Sequence, residues 1–234
     1  MSGFKKDLQQ EQILTPIIYK LMFDFIDANL GTKSELIKFE DDAEKQYQGI
    51  DVVTQYANGL KLFTDIKCQT NDYIGNPTPT FCLELSYLKY GDWRQGWFLD
   101  DTKKTDYYLF VWIPQANTKY ITNLDDIVEM HLMFVYRKDI VHYLNTEGLT
   151  KTNLKRWDDW LRNNSVTKIK KGSSRDIGMT KSILIEEEPI NLVLRKKHYW
   201  AMEHTGCFIY KPNKYGNSLH MLSKEDALFE LGIM

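Results

Sequence analysis

The first thirty residues carry apolar side chains at helical spacing. These side chains recur every three or four positions between residues 13 and 30, which is the period of a helix with one buried face. Pro16 suits the first turn of a helix, with Thr15 as its cap, and Gly31 is a natural stop. The pattern predicts a helix over about residues 15–30, alone or with a shorter helical piece before it.

Short β-branched and apolar runs follow this helix. The dipeptide Asn58-Gly59 separates two of them and is the strongest short hairpin signal, so it predicts antiparallel pairing of residues 49–56 with residues 60–68. Residues 106–113 are aromatic or aliphatic after Asp106, as in a central strand that is covered on both faces. Further runs predict strands at 35–40, 81–88, 131–136, 182–188 and 190–196.

The second half alternates helical and irregular patterns. Helices are predicted at residues 137–144, 150–164 and 223–233, the last with Ser223 as its cap. Residues 168–178 are predicted to form a basic loop that contains Gly and Ser. The order of helix, hairpin, strands and helices indicates an α/β protein with helices packed on a central sheet.

Composition excludes several classes of protein. The 234 residues are 43% hydrophobic and 13% aromatic, enough for a packed core. No run of about 18 apolar residues suggests a membrane span, and no signal-peptide core follows Met1. Cys68, Cys82 and Cys207 are odd in number and far apart, which disfavours a disulfide framework or zinc ribbon and favours a cytoplasmic location. No GxxxxGK[ST] loop occurs, so no nucleotide cofactor is expected.

The net charge of −2 hides an uneven distribution. Residues 1–150 carry a net charge of −7, whereas residues 151–197 carry +6. Such a basic segment suits an anionic partner such as nucleic acid, and a solvated lysine-rich surface explains it equally well. The side chains predicted to contact phosphates are Lys168, Lys170, Lys171 and Arg175.

Two acids and a lysine interrupt the apolar hairpin. Asp65 and Lys67 face the same way because side chains alternate along a strand, and the hairpin brings Asp51 beside them. Two carboxylates at one point repel unless a cation lies between them, and oxygen ligands suit Mg²⁺. A neighbouring lysine can position or deprotonate a water. This constellation predicts metal-assisted phosphodiester hydrolysis.

The segments "GID" at 49–51 and "TDIK" at 64–67, followed by Gln69, resemble the PD-(D/E)XK nuclease superfamily. The group includes many restriction endonucleases and Holliday junction resolvases. Ile50 stands where these proteins usually have proline. The resemblance implies a restriction-endonuclease-like mixed sheet flanked by helices, formed by a nuclease-like core at residues 1–145. Residues 146–234 would then be a C-terminal extension that completes the fold and carries the basic segment at 151–197.

The resemblance also implies a role for each site residue. Asp51, Asp65 and the carbonyl of Ile66 would hold Mg²⁺, for which Mn²⁺ would substitute, and Lys67 would be the catalytic lysine. Gln69 would orient the site. Many family members draw a further acid from the first helix, and Glu11 is the candidate here, although it precedes Pro16. The expected partner is DNA, and a homodimer would suit the cutting of two strands.

Two other interpretations remain open. A non-catalytic relative would keep the fold and bind nucleic acid or a protein partner. An unrelated α/β protein would carry the motif by chance, with Asp51 on the surface and with Asp65 and Lys67 as a solvated pair worth about 0–1 kcal/mol. In that case the two carboxylates would point to opposite sides of the sheet.

Overall fold

A computed structural model describes residues 3–38, 41–70, 73–171, 177–183 and 187–233. The protein is a mixed α/β structure in which helices flank mixed and antiparallel sheets. The helices, in chain order, are α1 (Gly3–Leu30), α2 (Ala43–Tyr47), α3 (Arg137–Thr146), α4 (Lys151–Arg162), α5 (Lys196–Trp200), α6 (Pro212–Tyr215) and α7 (Lys224–Glu230). The strands are β1 (Lys33–Leu36), β2 (Val52–Gln55), β3 (Lys61–Cys68), β4 (Thr80–Lys89), β5 (Asp92–Gln95), β6 (Tyr107–Ala116), β7 (Ile127–Tyr136), β8 (Lys168–Lys171), β9 (Ile177–Lys181), β10 (Ile190–Arg195), β11 (Thr205–Tyr210) and β12 (Leu219–Leu222).

The chain divides into two compact units, each made of discontinuous segments. Unit 1 consists of Met1–Thr78, Lys104–Arg137 and His204–Met234, and unit 2 consists of Pro79–Lys103 and Lys138–Glu203. The domain boundary predicted at residues 145 and 146 falls inside α3. The predicted core and extension therefore differ from these units, because the chain leaves unit 1 and returns to it twice.

The sheet of unit 1 has seven strands among the described residues, in the order β1-β2-β3-β6-β7-β11-β12. The pair β3–β6 is parallel, and every other neighbouring pair is antiparallel. Helix α1 packs against β1, β3 and β12. On this side Leu14, Ile18 and Met22 join Ile66 and Leu109 in one buried cluster. Because side chains alternate along β3, its odd-numbered residues face away from this cluster.

Helix α1 is longer than predicted and includes Pro16 in its interior. The expected start near residue 15 is therefore wrong. A proline inside a helix removes one hydrogen bond and costs about 3 kcal/mol, but the buried stripe of Leu14, Ile18 and Met22 runs past it and packing offsets that cost. The predicted stop at Gly31 is confirmed, since this residue has φ +62°.

The hairpin predicted from Asn58-Gly59 is confirmed. Gly59 has φ +84°, and Oδ1 of Asn58 accepts a 3.0 Å hydrogen bond from the N–H of Leu60. Strands β2 and β3 then pair from Gln55 with Lys61 through to Val52 with Thr64. This pairing places Asp51, the residue just before β2, opposite Asp65.

Unit 2 contains a five-stranded antiparallel sheet in the described chain, in the order β5-β4-β10-β9-β8. The strand expected at residues 81–88 is present as β4, but it belongs to this second sheet. The prediction of a loop over residues 168–178 is wrong at both ends, because β8 and β9 lie there and pair antiparallel. Residues 172–176, which connect the two strands, lie outside the described part of the chain. The strand expected at 182–188 is absent at residues 182, 183, 187 and 188, and residues 184–186 are not described.

No helix among the described residues is both long and apolar enough to span a bilayer.

Candidate functional site

The open end of the β2–β3 hairpin joins Asp51 to the strand that carries Asp65. The N–H of Asp51 donates to the carbonyl of Thr64 at 2.9 Å, and the N–H of Ile37 donates to the carbonyl of Asp51 at 2.7 Å. The side chain is fixed as well, because Oδ2 of Asp51 accepts a 2.7 Å hydrogen bond from the N–H of Ile66. Both the backbone and the carboxyl group of Asp51 are thus held at the edge of β3.

The carboxyl groups of Asp51 and Asp65 contact each other. Asp65 is buried, with 3% of its surface exposed, and its carboxyl group lies close enough to that of Asp51 to affect its pKa. Burial and the charge of Asp65 raise the pKa of Asp51 to about 8, against the opposing effects of Lys67 and of the Ile66 N–H. Without a cation, Asp51 therefore keeps its proton at neutral pH.

Lys67 completes the constellation on the same face of β3. Its Nζ lies 2.8 Å from Oδ1 of Asp65, and a quarter of the lysine side chain, 25%, is exposed. Burial acts to lower the pKa of Lys67, but the charges of Asp65, Asp51 and Glu11 outweigh burial and raise it. The ammonium group is therefore firmly protonated at neutral pH.

Gln69 continues the same strand face just beyond β3. Its N–H donates to the carbonyl of Val111 at 3.0 Å, which extends the β3–β6 ladder by one residue. Its Nε2 donates to Oγ1 of Thr78 at 2.8 Å. The observed amide contact therefore ties Gln69 to Thr78, and its role in orienting the acids stays a prediction.

Glu11 lies on α1, which runs unbroken through Pro16. The side chain of Glu11 is exposed, and its charge raises the pKa values of Lys67 and Cys68. Among the residues that the structure describes, no group of three or more His, Cys, Asp or Glu side chains could hold a metal ion. Glu11 therefore affects Lys67 through the electrostatic effect of its negative charge. It does not belong to a group of three or more metal-binding side chains among the described residues.

The donor set fits a divalent cation at the carboxyl pair. Asp51 and Asp65 meet across two paired strands, and burial and the charge of Asp65 keep a proton on Asp51. A metal ion binds carboxylates in their deprotonated form, so it would displace that proton. The carbonyl of Ile66 is the neighbouring backbone oxygen on β3, and further oxygen ligands would be waters, as Mg²⁺ usually keeps.

Tyr108 also belongs to this face, and the sequence pattern did not single it out. Tyr108 pairs with Asp65 across β3 and β6 and is completely buried. Burial raises the pKa of Tyr108, as does the charge of Asp65, while Arg137 and Lys67 lower it. The sequence signal for Tyr108 was a tyrosine hydroxyl, one of two, in the aromatic and aliphatic run that follows Asp106.

The residues predicted to contact nucleic acid lie in unit 2. Lys168 is exposed on β8. Lys170 and Lys171 have their backbone in the same strand, while their side chains lie outside what the structure describes. Arg175 lies outside the described residues altogether. Contact between this segment and phosphates stays a prediction.

Comparison with known proteins found no match. The chain matches no protein-family model, no curated protein and no solved structure. The resemblance to the PD-(D/E)XK superfamily therefore rests on the residues from Gly49 to Gln69 alone.

Proposed function

We propose that the protein is a Mg²⁺-dependent DNA endonuclease with a restriction-endonuclease-like core. One observation carries this proposal. The carboxyl groups of Asp51 and Asp65 are in contact, and the ammonium of Lys67 lies 2.8 Å from the second of them. A buried pair of acids costs folding free energy, and a metal site explains why the chain keeps both.

The two aspartates and the Ile66 carbonyl would hold the cation. The hydrogen bond from the Ile66 N–H fixes the Asp51 carboxyl group in place, so little reorganisation would accompany binding. When bound, Mg²⁺ would polarise a phosphoryl oxygen and lower the pKa of a coordinated water. Mn²⁺ offers the same charge and accepts the same oxygen ligands.

Lys67 would act as a cation in this site. Its raised pKa keeps the amine protonated, which disfavours a role as general base. A protonated ammonium can hold a phosphate oxygen and offset the negative charge that develops during hydrolysis. Its partial exposure, 25% of the side chain, leaves it accessible to a substrate.

DNA is the proposed substrate because part of the chain carries a positive charge that suits a polyanion. The segment at residues 151–197 carries a net charge of +6, and Lys168 within it is exposed. Lysine and arginine contacts to phosphates give affinity that depends on salt and little on sequence.

Cleavage of DNA tests the proposal directly. Supercoiled, linear, branched and single-stranded DNA would be incubated with the full chain, with and without Mg²⁺ or Mn²⁺. We expect cleavage that requires the metal and falls at least about a hundredfold in Lys67→Ala. Lys61→Ala is the matched control, since Lys61 is exposed on the same strand. Equal inactivity of wild type and Lys67→Ala on every DNA form would overturn the proposal.

A non-catalytic nucleic-acid-binding or protein-binding module is the second candidate. It is favoured by the lack of a metal-binding group of three or more acidic, His or Cys side chains in the described residues. Lys67 and Asp65 would then serve as an internal ion pair that stabilises β3. DNA binding without cleavage, unchanged by divalent metal, would support this candidate over the nuclease.

A further inference from the structure

The sheet of unit 2 has one buried face and one open face. On β9 and β10, Met179, Leu192 and Leu194 are completely buried, whereas the residues between and beside them are half-buried or exposed. This alternation is typical of an antiparallel sheet that covers the core with one face only. The open face on β8, β9 and β10, called the outer face below, carries Lys168, Gly178, Thr180, Asn191, Val193 and Arg195.

Helix α4 packs on the buried face of this sheet. Ser86 of β4 pairs with Ile190, which is completely buried and lies on the same side of β10 as Leu192. The Ser86 hydroxyl donates a 2.5 Å hydrogen bond to Oδ1 of Asp158 on α4. The helix and the outer face therefore lie on opposite sides of the sheet.

Strand register places a cation at each of two corners of the outer face. Lys168 pairs with Thr180 across β8 and β9, and Thr180 pairs with Asn191 across β9 and β10. Arg195 lies four residues beyond Asn191 on the same face of β10. The spacing of strands and the rise per residue separate the α-carbons of Lys168 and Arg195 by roughly 15–20 Å. Both cations are exposed.

The surface between the two cations is low and polar. Gly178 pairs with Val193, and among the described residues a Cβ built at Gly178 would meet only the carbonyl oxygen of Ile169 within 4 Å, at 3.3 Å. A glycine inside a strand weakens the strand and often marks a place where another backbone approaches closely. Thr180 and Asn191 add hydroxyl and amide groups that can donate hydrogen bonds to phosphate oxygens.

The chemistry of the outer face suits a polyanion better than a protein surface. Of its six residues, Val193 alone has a hydrocarbon side chain, whereas the centre of a protein–protein interface is rich in apolar and aromatic groups. The acid that borders the outer face is Glu84, which pairs with Asn191 and is half-buried. The chain at Gly96 packs over Glu84, since a Cβ added to Gly96 would lie 2.8 Å from its Cγ. The exposed charges at the two corners are therefore positive.

We propose that the outer face of the unit 2 sheet binds the phosphate backbone of nucleic acid. Lys168 and Arg195 are its charged contacts, and Thr180 and Asn191 are its hydrogen-bond donors. This inference rests on the proposed function for the choice of DNA as partner, but it does not require hydrolysis at the aspartate pair. It assigns phosphate binding to one face of the sheet and excludes the cations of α4, which belong to the same basic segment.

Matched variants within residues 151–197 test this assignment. Lys168→Gln and Arg195→Gln remove the cations of the outer face, singly and together. Lys155→Gln and Arg156→Gln are the controls, because both residues are exposed on α4 and their loss changes the net charge by the same amount. The full chain would be titrated in EDTA with a labelled duplex of about 20 base pairs, and with one of its strands, between about 50 and 200 mM salt. Thermal melting checks that each variant is folded.

For the duplex, we expect Lys168→Gln and Arg195→Gln each to reduce the slope of log K against log salt by about 0.9, the value for one lost phosphate contact, and to weaken binding about tenfold at about 50 mM salt. For the single strand, each slope should fall by about 0.7. The double variant should show the sum of the two losses. Lys155→Gln and Arg156→Gln should stay within about twofold of wild type, because salt screens distant charges.

Equal losses in the outer-face and α4 variants would overturn the inference, since affinity would then follow net charge alone. Slopes that are unchanged in Lys168→Gln and Arg195→Gln would also overturn it, even if the wild type cleaves DNA. A wild type that binds DNA through the outer face but never cleaves it would overturn only the proposed hydrolysis. A wild type that binds neither the duplex nor the single strand would overturn both.

Discussion

The N–H of Ile66 donates a 2.7 Å hydrogen bond to Oδ2 of Asp51. This bond, together with the contact to Asp65, holds an acid where burial penalises its charge. The carboxyl pair therefore lowers the free energy of unfolding of the metal-free protein. Such a local loss of stability is expected where residues are kept for function and do not improve packing.

Asp51→Asn should stabilise the metal-free protein at neutral and alkaline pH. The pKa of Asp51 rises from 3.8 to about 8 on folding, so between these values the folded state holds a proton that the unfolded state has lost. The contribution of Asp51 to the free energy of unfolding is therefore most favourable at acidic pH and falls as the pH rises toward 8. The asparagine keeps an acceptor for the Ile66 N–H and has no charge to bury, so we expect a gain on the order of 1 kcal/mol or more at pH 8.

Urea denaturation in EDTA at several pH values would measure this gain. The difference between Asp51→Asn and wild type should grow from pH 5 to pH 8 and then level off. Asp24→Asn, which removes an exposed aspartate on α1, is the control for the loss of one carboxylate. A difference for Asp51→Asn that is flat over the same range would contradict the raised pKa.

Uptake of Mg²⁺ or Mn²⁺ should release a proton. Because Asp51 is protonated below about pH 8 and a ligand must be deprotonated, apparent affinity should rise up to about tenfold per pH unit from pH 6 to pH 8. Calorimetry in buffers with different ionisation enthalpies would count the protons released. Asp51→Asn should lose uptake, while Asp24→Asn should keep it. Affinity that is independent of pH would remove Asp51 from the ligand set.

The sequence was sufficient to predict the hairpin and the meeting of its two acids. Asn58-Gly59 sets a local turn, and the pairing from Gln55 with Lys61 follows within a few residues of it. Alternation along β3 then places Asp65 and Lys67 on one face, as their 2.8 Å contact shows. These features depend on neighbours close in sequence, which is why pattern alone predicts them.

The partners of each strand could not be predicted in the same way. The run at residues 81–88 has the pattern of a strand whichever sheet it joins, and the neighbour of β3 proved to be β6, some forty residues later in the chain. Such pairing depends on the packing of distant segments, which local propensity does not encode. Tyr108 was missed for the same reason, since its place beside Asp65 arises only after β3 and β6 have paired.

Lys67→Met should destabilise the protein by leaving the Asp65 carboxylate buried without its cation. Asp65 is 3% exposed and its partner only partly so, so we expect a loss of about 1–3 kcal/mol. The double variant Asp65→Asn/Lys67→Met should recover most of this loss, because a neutral amide needs no cation. Denaturant unfolding of the single and double variants would give the coupling energy.

Lys61→Met is the control for this cycle, since Lys61 is exposed on the same strand and should change stability by less than about 0.5 kcal/mol. If Lys67→Met were equally neutral, Lys67 and Asp65 would behave as a solvated pair. The chance-motif interpretation would then gain over the nuclease.

Gly59→Ala should lower stability without altering the site. Gly59 has φ +84°, and a Cβ added there would meet no atom within 4 Å. The cost is therefore one of backbone conformation alone, about 1 kcal/mol. Because four further residue pairs hold β2 to β3, Asp51 should stay opposite Asp65, and metal affinity per folded molecule should be unchanged. Denaturation and metal titration of the same samples would separate the two effects. A loss of metal affinity at full folding would show that the turn, and not the strand pairing, positions the acids.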